Sequence, residues 1–142
     1  ETFATKDYVY FNILGFQPRL RKQVSGIARI NLRTDDVELI GQVEMEKDRQ
    51  AIEGQLVGRG FWHCNASRDN KWAAGDTFGG NVWLMNVQTG ERHWIVSDTK
   101  MKPDHAHPSF SPDGTKVLFQ SGHFTNGQRL NLMMVDISSY NK

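Results

Sequence analysis

Apolar residues along the chain come in short runs divided by polar turn residues, and the runs recur. Ile30-Asn-Leu-Arg-Thr-Asp-Asp-Val-Glu-Leu-Ile40 and Met85-Asn-Val-Gln-Thr-Gly-Glu-Arg-His-Trp-Ile95 each read as the end of an apolar strand, an Asn, a polar turn and a second strand. Val135-Asp-Ile-Ser-Ser139 repeats the first part of this pattern with Asp in the marker position. The markers Asn31, Asn86 and Asp136 stand 55 and 50 residues apart. A second motif lies between them. His63-Cys-Asn-Ala-Ser-Arg-Asp-Asn70, followed by Lys71-Trp-Ala-Ala74, matches His107-Pro-Ser-Phe-Ser-Pro-Asp-Gly114, followed by Lys116-Val-Leu-Phe119, with Thr115 as an extra residue. Gly, Asn and Asp suit such turns because they tolerate the backbone angles required, and tight turns join antiparallel neighbours.

The repeating unit is strand, Asp-Gly or Asp-Asn turn, strand, loop, strand, Thr-Gly-type turn, strand. Four antiparallel strands at this period predict the blade of a β-propeller, in an all-β chain. Helical periodicity is nearly absent; Glu44-Met-Glu-Lys-Asp-Arg-Gln-Ala-Ile52 has room for a turn or two of helix in an inter-blade loop. Residues 1–142 read as part of one propeller domain. A partial blade covers about 1–43, with its first strand near Tyr8-Val-Tyr-Phe-Asn-Ile13. A second blade covers about 60–100, and a last one, without its own outer strand, about 103–142. Phe110, Val117, Phe119 and Leu132 are expected in the core of that last blade. Propellers close their ring with about four to eight blades, and an arc of three exposes its end faces. The chain, which begins at Glu1 without Met and shows no signal peptide, is therefore expected to be the C-terminal portion of a larger propeller and not a stable monomer alone. The competing architecture is a small stand-alone β-sandwich.

Composition narrows the function classes. The 142 residues carry a net charge of +1, without the concentrated basic stripe of a nucleic-acid binder. The short run Arg19-Leu-Arg-Lys22 reads as a solvated loop. No apolar stretch approaches the ~20 residues of a membrane span. The single cysteine, Cys64, excludes an internal disulfide framework. Neither nucleic acid nor membrane is expected as a partner.

The histidines carry the candidate chemistry. His63 and His107 are equivalent in the repeat, and His105 precedes His107 by two residues, the spacing that puts both on one side of an extended strand. Innermost strands of adjacent blades border the central channel, so His63, His105 and His107 are expected to converge at its mouth. Three neutral imidazoles with an open position describe a catalytic-type metal site. Cys64 follows His63 and belongs on the opposite face, in the core, unless a bulge turns its thiol inward as a further ligand. His93 reads as exposed on an outer strand, and His123 as a loop residue that can line a cleft. Trp62 and Phe61, beside His63, are either core or exposed stacking surfaces.

The segment "HPSFSPDGTKVLF" with "LNLMMVDI" resembles TolB-like propeller blades in a generic way. The combination of "FWHCNASRDNKWAAGD", "VWLMNVQTGERHWIV" and "HAHPSFSPDGTKVLFQSG" more specifically resembles the C-terminal portion of the oligogalacturonate lyases, seven-bladed propellers to which propeller-type ulvan lyases are related. The resemblance runs from Gly60 to Ile137. It implies a divalent metal, zinc or manganese rather than calcium, held by His63, His105 and His107. The family's further glutamine ligand falls at Lys102, whose protonated amine cannot ligate, so the fourth position is left to Asp104, Cys64 or water. It also implies an acidic poly- or oligosaccharide as partner, with the remaining blades of the same protein, and substrate contacts from Trp62 and His123. The reaction implied is β-elimination of a uronate glycoside: a base takes the C5 proton, the O4 group departs and a double bond forms. A cation on the neighbouring carboxylate stabilises the developing charge, and a base with a near-neutral pKa takes the proton. The family's proton-abstracting histidine and carboxylate-binding arginine match no position here, which places the base outside this chain. The expected location is secreted or periplasmic rather than cytoplasmic. The alternative is a TolB-like binding or scaffold propeller without chemistry. A peptidase propeller would be accompanied by a G-x-S-x-G nucleophile elbow, which is lacking here.

Overall fold

The computed structural model describes residues 2–13, 26–42, 61–77, 79–97, 99–100 and 105–141. The basic run at 19–22, the segment 44–52, Lys102 and Asp104 lie outside these residues. The described chain is three antiparallel sheets in sequence order. The first holds β1 (Thr2–Ala4), β2 (Tyr8–Ile13), β3 (Gly26–Asn31) and β4 (Val37–Gln42), so a short strand precedes Tyr8. The second holds β5 (Phe61–Ala66), β6 (Trp72–Thr77), β7 (Val82–Asn86) and β8 (Arg92–Val96). The third holds β9 (Ser109–Phe110), β10 (Lys116–Ser121) and β11 (Asn131–Asp136), followed by a 3-10 turn, Ser138–Asn141. Within each sheet every strand pairs with the next in the chain, which is the up-and-down order of propeller blades. The sheets stack in series rather than as one sandwich.

The repeat markers act through their side chains. Asn31 Oδ1 accepts the Arg33 amide at 2.9 Å, Asn86 Oδ1 accepts the Gln88 and Thr89 amides at 3.0 Å each, and Asp136 Oδ1 accepts the Ser138 amide at 2.8 Å. These Asx turns supply the acceptor that ends a strand and start the reversal. The second motif is a Ser-x-Asp turn. Ser67 and Ser111 donate to Asp69 and Asp113, both at 2.6 Å, and accept the Trp72 and Lys116 amides at 2.9 and 3.0 Å. Asn70 and Gly114, with φ of 60° and 69°, take the left-handed position that closes each turn. The turns are therefore equal in length: Lys71 corresponds to Thr115 and Trp72 to Lys116. Thr115 is not an extra residue, and pairing Lys71 with Lys116 is off by one. Trp72 and Lys116 accordingly sit opposite the markers Asn86 and Asp136 in their ladders.

The core lies between sheets. Tyr10, Ile27 and Ile40 of the first sheet pack on Phe61, Cys64, Ala66, Ala73 and Met85 of the second. Trp72, Ala74 and Leu84 pack on Val117 and Ile137, and Val82 packs with Ala106 and Phe119. Phe119 and Val117 are core as expected, with Phe110 packed against the cluster that holds Val117. Leu132 is not: it is 70% exposed, on the outer face of the third sheet with Leu118 and Met134. The reason is register, since alternate residues of β11 face opposite sides and Met133 and Val135 take the inner one. The outer face of the first sheet is also apolar, with Val9 opposite Ile30, Phe11 opposite Ala28, and exposed Val37 and Leu39 on β4.

Candidate metal centre

The first strands of the sheets lie side by side, β5 between β1 and β9. His63 comes from β5, and His105 and His107 from the segment leading into β9. Their ligand atoms all lie within 4.8 Å of one another, and His63 is buried while the other two are half-buried. Ring centroids are 3.8 Å apart for His63 and His107, stacked, and 5.2 Å for His63 and His105. Three imidazoles at this separation suit a divalent transition ion, which needs ligand atoms about 2.0–2.1 Å from one centre. A closure of an ångström or less by half-buried side chains would complete the set. The donor chemistry fits zinc and similar late transition ions and does not fit calcium, which takes oxygen ligands.

The convergence does not arise as the i, i+2 spacing predicts. Residues 105–108 are not strand, and His107 has φ of 48°, in the left-handed region. The chain turns at His107, and that turn, not strand alternation, sets the two rings. A second irregularity sits in β5. Phe61 pairs with Thr77 and His63 with Asp76, leaving Trp62 as the extra residue of a β-bulge. The bulge puts Phe61 on the same face as Cys64 and Ala66, all in the core, and frees Trp62 to stand over the site. Trp62 is half-buried and stacks on His105, with ring centroids 4.9 Å apart, and meets His63 in a T-shaped arrangement with centroids 5.9 Å apart.

Cys64 is 3% exposed within the apolar cluster, and the bulge that occurs leaves its thiol in the core rather than among the imidazoles. Phe61 is fully buried and offers no surface to a sugar. His123 is exposed in the turn between β10 and β11 with its ring against Phe124, and it does not join the cluster. His93 on β8 is not simply exposed: its ring lies 4.5 Å from Tyr140 and 6.1 Å from Trp72, and Nε2 is 3.3 Å from Glu91. The 3-10 turn after β11 brings Tyr140 over the second sheet, a contact between segments that no spacing displays.

Asp76 is the site residue that the sequence pattern misses. It is 1% exposed at the end of β6, a strand buried along its whole length. Its carboxylate accepts the His63 amide at 2.8 Å and the His107 amide at 3.0 Å, and lies 3.0 Å from His63 Nδ1. The available signal was an acid in the otherwise apolar run Trp72-Ala-Ala-Gly-Asp76.

No protein-family profile matches the chain, and no curated protein sequence matches it. Solved structures do. An oligogalacturonate lyase in complex with manganese superposes with a TM-score of 0.62 at 17% identity, over 96% of this chain and 34% of that one. TolB from Acinetobacter baumannii gives 0.60 at 13% identity, over 97% and 30%. The β-propeller domain of the Trilobed protease from Pyrococcus furiosus gives 0.62 at 12% identity, over 98% and 39%. The chain thus spans about a third of the length of these proteins. At such identities the likeness is one of fold, and with the three sheets above it shows consecutive four-stranded-type blades of a β-propeller.

Proposed function

We propose that His63, His105 and His107 hold one divalent metal ion and that the site is the electrophilic part of a lyase acting on uronate-containing poly- or oligosaccharides. The carrying observation is the convergence within 4.8 Å of three imidazoles, one from β5 and two from the segment leading into β9. The resemblance of the residues around them to oligogalacturonate lyases supports the reading, as does the manganese bound by the lyase of similar fold. When bound, the ion supplies Lewis-acid stabilisation of charge beside the carboxylate of the substrate. The chain's own residues do the rest of the positioning. The buried wall of β5 and β6 keeps His63 fixed, and Trp62, stacked on His105, limits the swing of that ring and offers its half-buried indole beside the site. A sugar ring lying along this indole would bury apolar C–H surface against it. The proton acceptor is outside this set, in blades that complete the ring.

A TolB-like binding propeller is the second reading, favoured by a likeness of fold to TolB, with a TM-score of 0.60, close to that to the lyase. Metal analysis and activity on the intact protein separate the two. The lyase reading expects one equivalent of zinc or manganese, and release of unsaturated uronate, seen by its ultraviolet absorbance, from polygalacturonate or ulvan. That product must disappear with chelator and in His105→Ala. Bound metal with activity that survives its removal would make the site structural. A protein that takes up no ion and releases no product would leave the binding propeller.

A further inference from the structure

We propose that Asp76 is a positioning residue of the histidine site, orienting the His63 ring and anchoring the turn at His107 with one carboxylate. The proposal rests on the metal reading above and concerns how this chain prepares for the ion. A carboxylate in a fully buried strand costs several kcal/mol unless its oxygens are paired, and here both are. Oδ1 accepts the His63 amide at 2.8 Å. Both oxygens face His63 Nδ1, at 3.1 and 3.0 Å. Oδ2 accepts the His107 amide at 3.0 Å.

Two consequences follow from the chemistry of the donors. An ionised carboxylate only accepts hydrogen bonds, so His63 Nδ1 must carry its proton. A neutral imidazole has one N–H, which leaves the lone pair on Nε2, the nitrogen then able to ligate. Metal-binding histidines are commonly held by such a carboxylate on the other ring nitrogen. The second consequence concerns His107. A non-glycine residue at φ of 48° is uncommon and persists where its surroundings fix it. The bond from its amide to Asp76 is such a restraint, and it reaches from the second sheet to the segment that opens the third. One side chain therefore sets the tautomer of one ligand and the backbone of another. Asparagine cannot replace it: one oxygen becomes an NH2 group, which faces the His107 amide in one orientation and the His63 amide in the other, donor to donor in both, with His63 Nδ1 beside it.

The test uses the intact protein, labelled with 15N-histidine. In the metal-free wild type, above the histidine titration range, the two-bond nitrogen–proton correlations of His63 should report the Nδ1–H tautomer. Zinc and manganese affinities, read by competition with a chromogenic chelator, should fall about 10–100-fold in Asp76→Asn while the far-ultraviolet dichroism is unchanged. An Nε2–H tautomer in the wild type overturns the proposal, and this measurement decides if Asp76→Asn fails to fold. Wild-type affinity in a folded Asp76→Asn overturns the positioning role alone, with the metal site intact. A wild type that binds neither ion overturns the metal reading, and the proposal with it.

Discussion

Replacing Gly75 with alanine should damage both the packing and the histidine site. Gly75 lies on β6 with its α-carbon toward the first sheet. A methyl group there would meet Phe61 Cδ1 at 2.5 Å and Ile27 Cδ1 at 2.7 Å. Carbon atoms pack at about 3.5–4.0 Å, so two fully buried side chains must move by roughly an ångström. Overpacking of this kind costs about 1–3 kcal/mol, against a gain of about 0.4–1 kcal/mol from the reduced freedom of the unfolded chain. The balance is a loss, on the order of 1–2 kcal/mol. The displaced Phe61 is the residue before the Trp62 bulge, so the strain passes to Trp62 and His63. Urea unfolding of the intact protein should show a lower midpoint at constant slope, and zinc affinity should fall with it. A double-mutant cycle makes the argument specific. Ile27→Val removes the very atom met at 2.7 Å and alone costs about 0.5–1.5 kcal/mol. In the alanine background it should cost less by at least ~0.5 kcal/mol. A midpoint for Gly75→Ala at or above the wild type, or strict additivity with Ile27→Val, would refute this account.

His107→Gly should keep the turn that φ of 48° demands and lose only ligation, whereas His107→Val should lose both, seen as a lower melting temperature for Val than for Gly. Asp113, held down to about 2 by hydrogen bonds from Ser111 and Thr115, contributes stability that is complete above the ordinary carboxylate pKa and is lost as pH falls through about 2. Asp113→Asn should therefore flatten the acid limb of the stability profile, and an unchanged limb would count against the turn. Leu132→Lys and Met134→Lys, though on exposed positions here, should lower the denaturation midpoint of the intact protein, because that face is apolar as one covered by another blade is; neutral effects would leave the face uncovered. His63→Ala should abolish zinc binding at micromolar protein with the blade fold retained by circular dichroism.

What the sequence determined by itself is what depends on near neighbours. Asn31, Asn86 and Asp136 mark strand ends because each side chain bonds amides two or three residues on, within reach of any reading frame of turns. The alternation of apolar residues in β10 and the Ser-x-Asp turns follow for the same reason, and their recurrence implied stacked blades before any coordinate. The equivalence of His63 and His107 was legible too, because a repeat carries spatial equivalence in its period. The tertiary structure decided what depends on distant partners or on local departures from regular geometry. Leu132 faces outward because of register with β10. Cys64 stays in the core because the bulge falls at Trp62, and a bulge is fixed by how Phe61 packs on Gly75 and Ile27 across the sheets. His105 and His107 meet His63 through a left-handed turn that strand alternation does not contain. Asp76 is bound to groups 13 and 31 residues away. No local pattern records that a single acid in an apolar strand has its partners there, since its burial is worth its cost only once the second and third sheets are packed together.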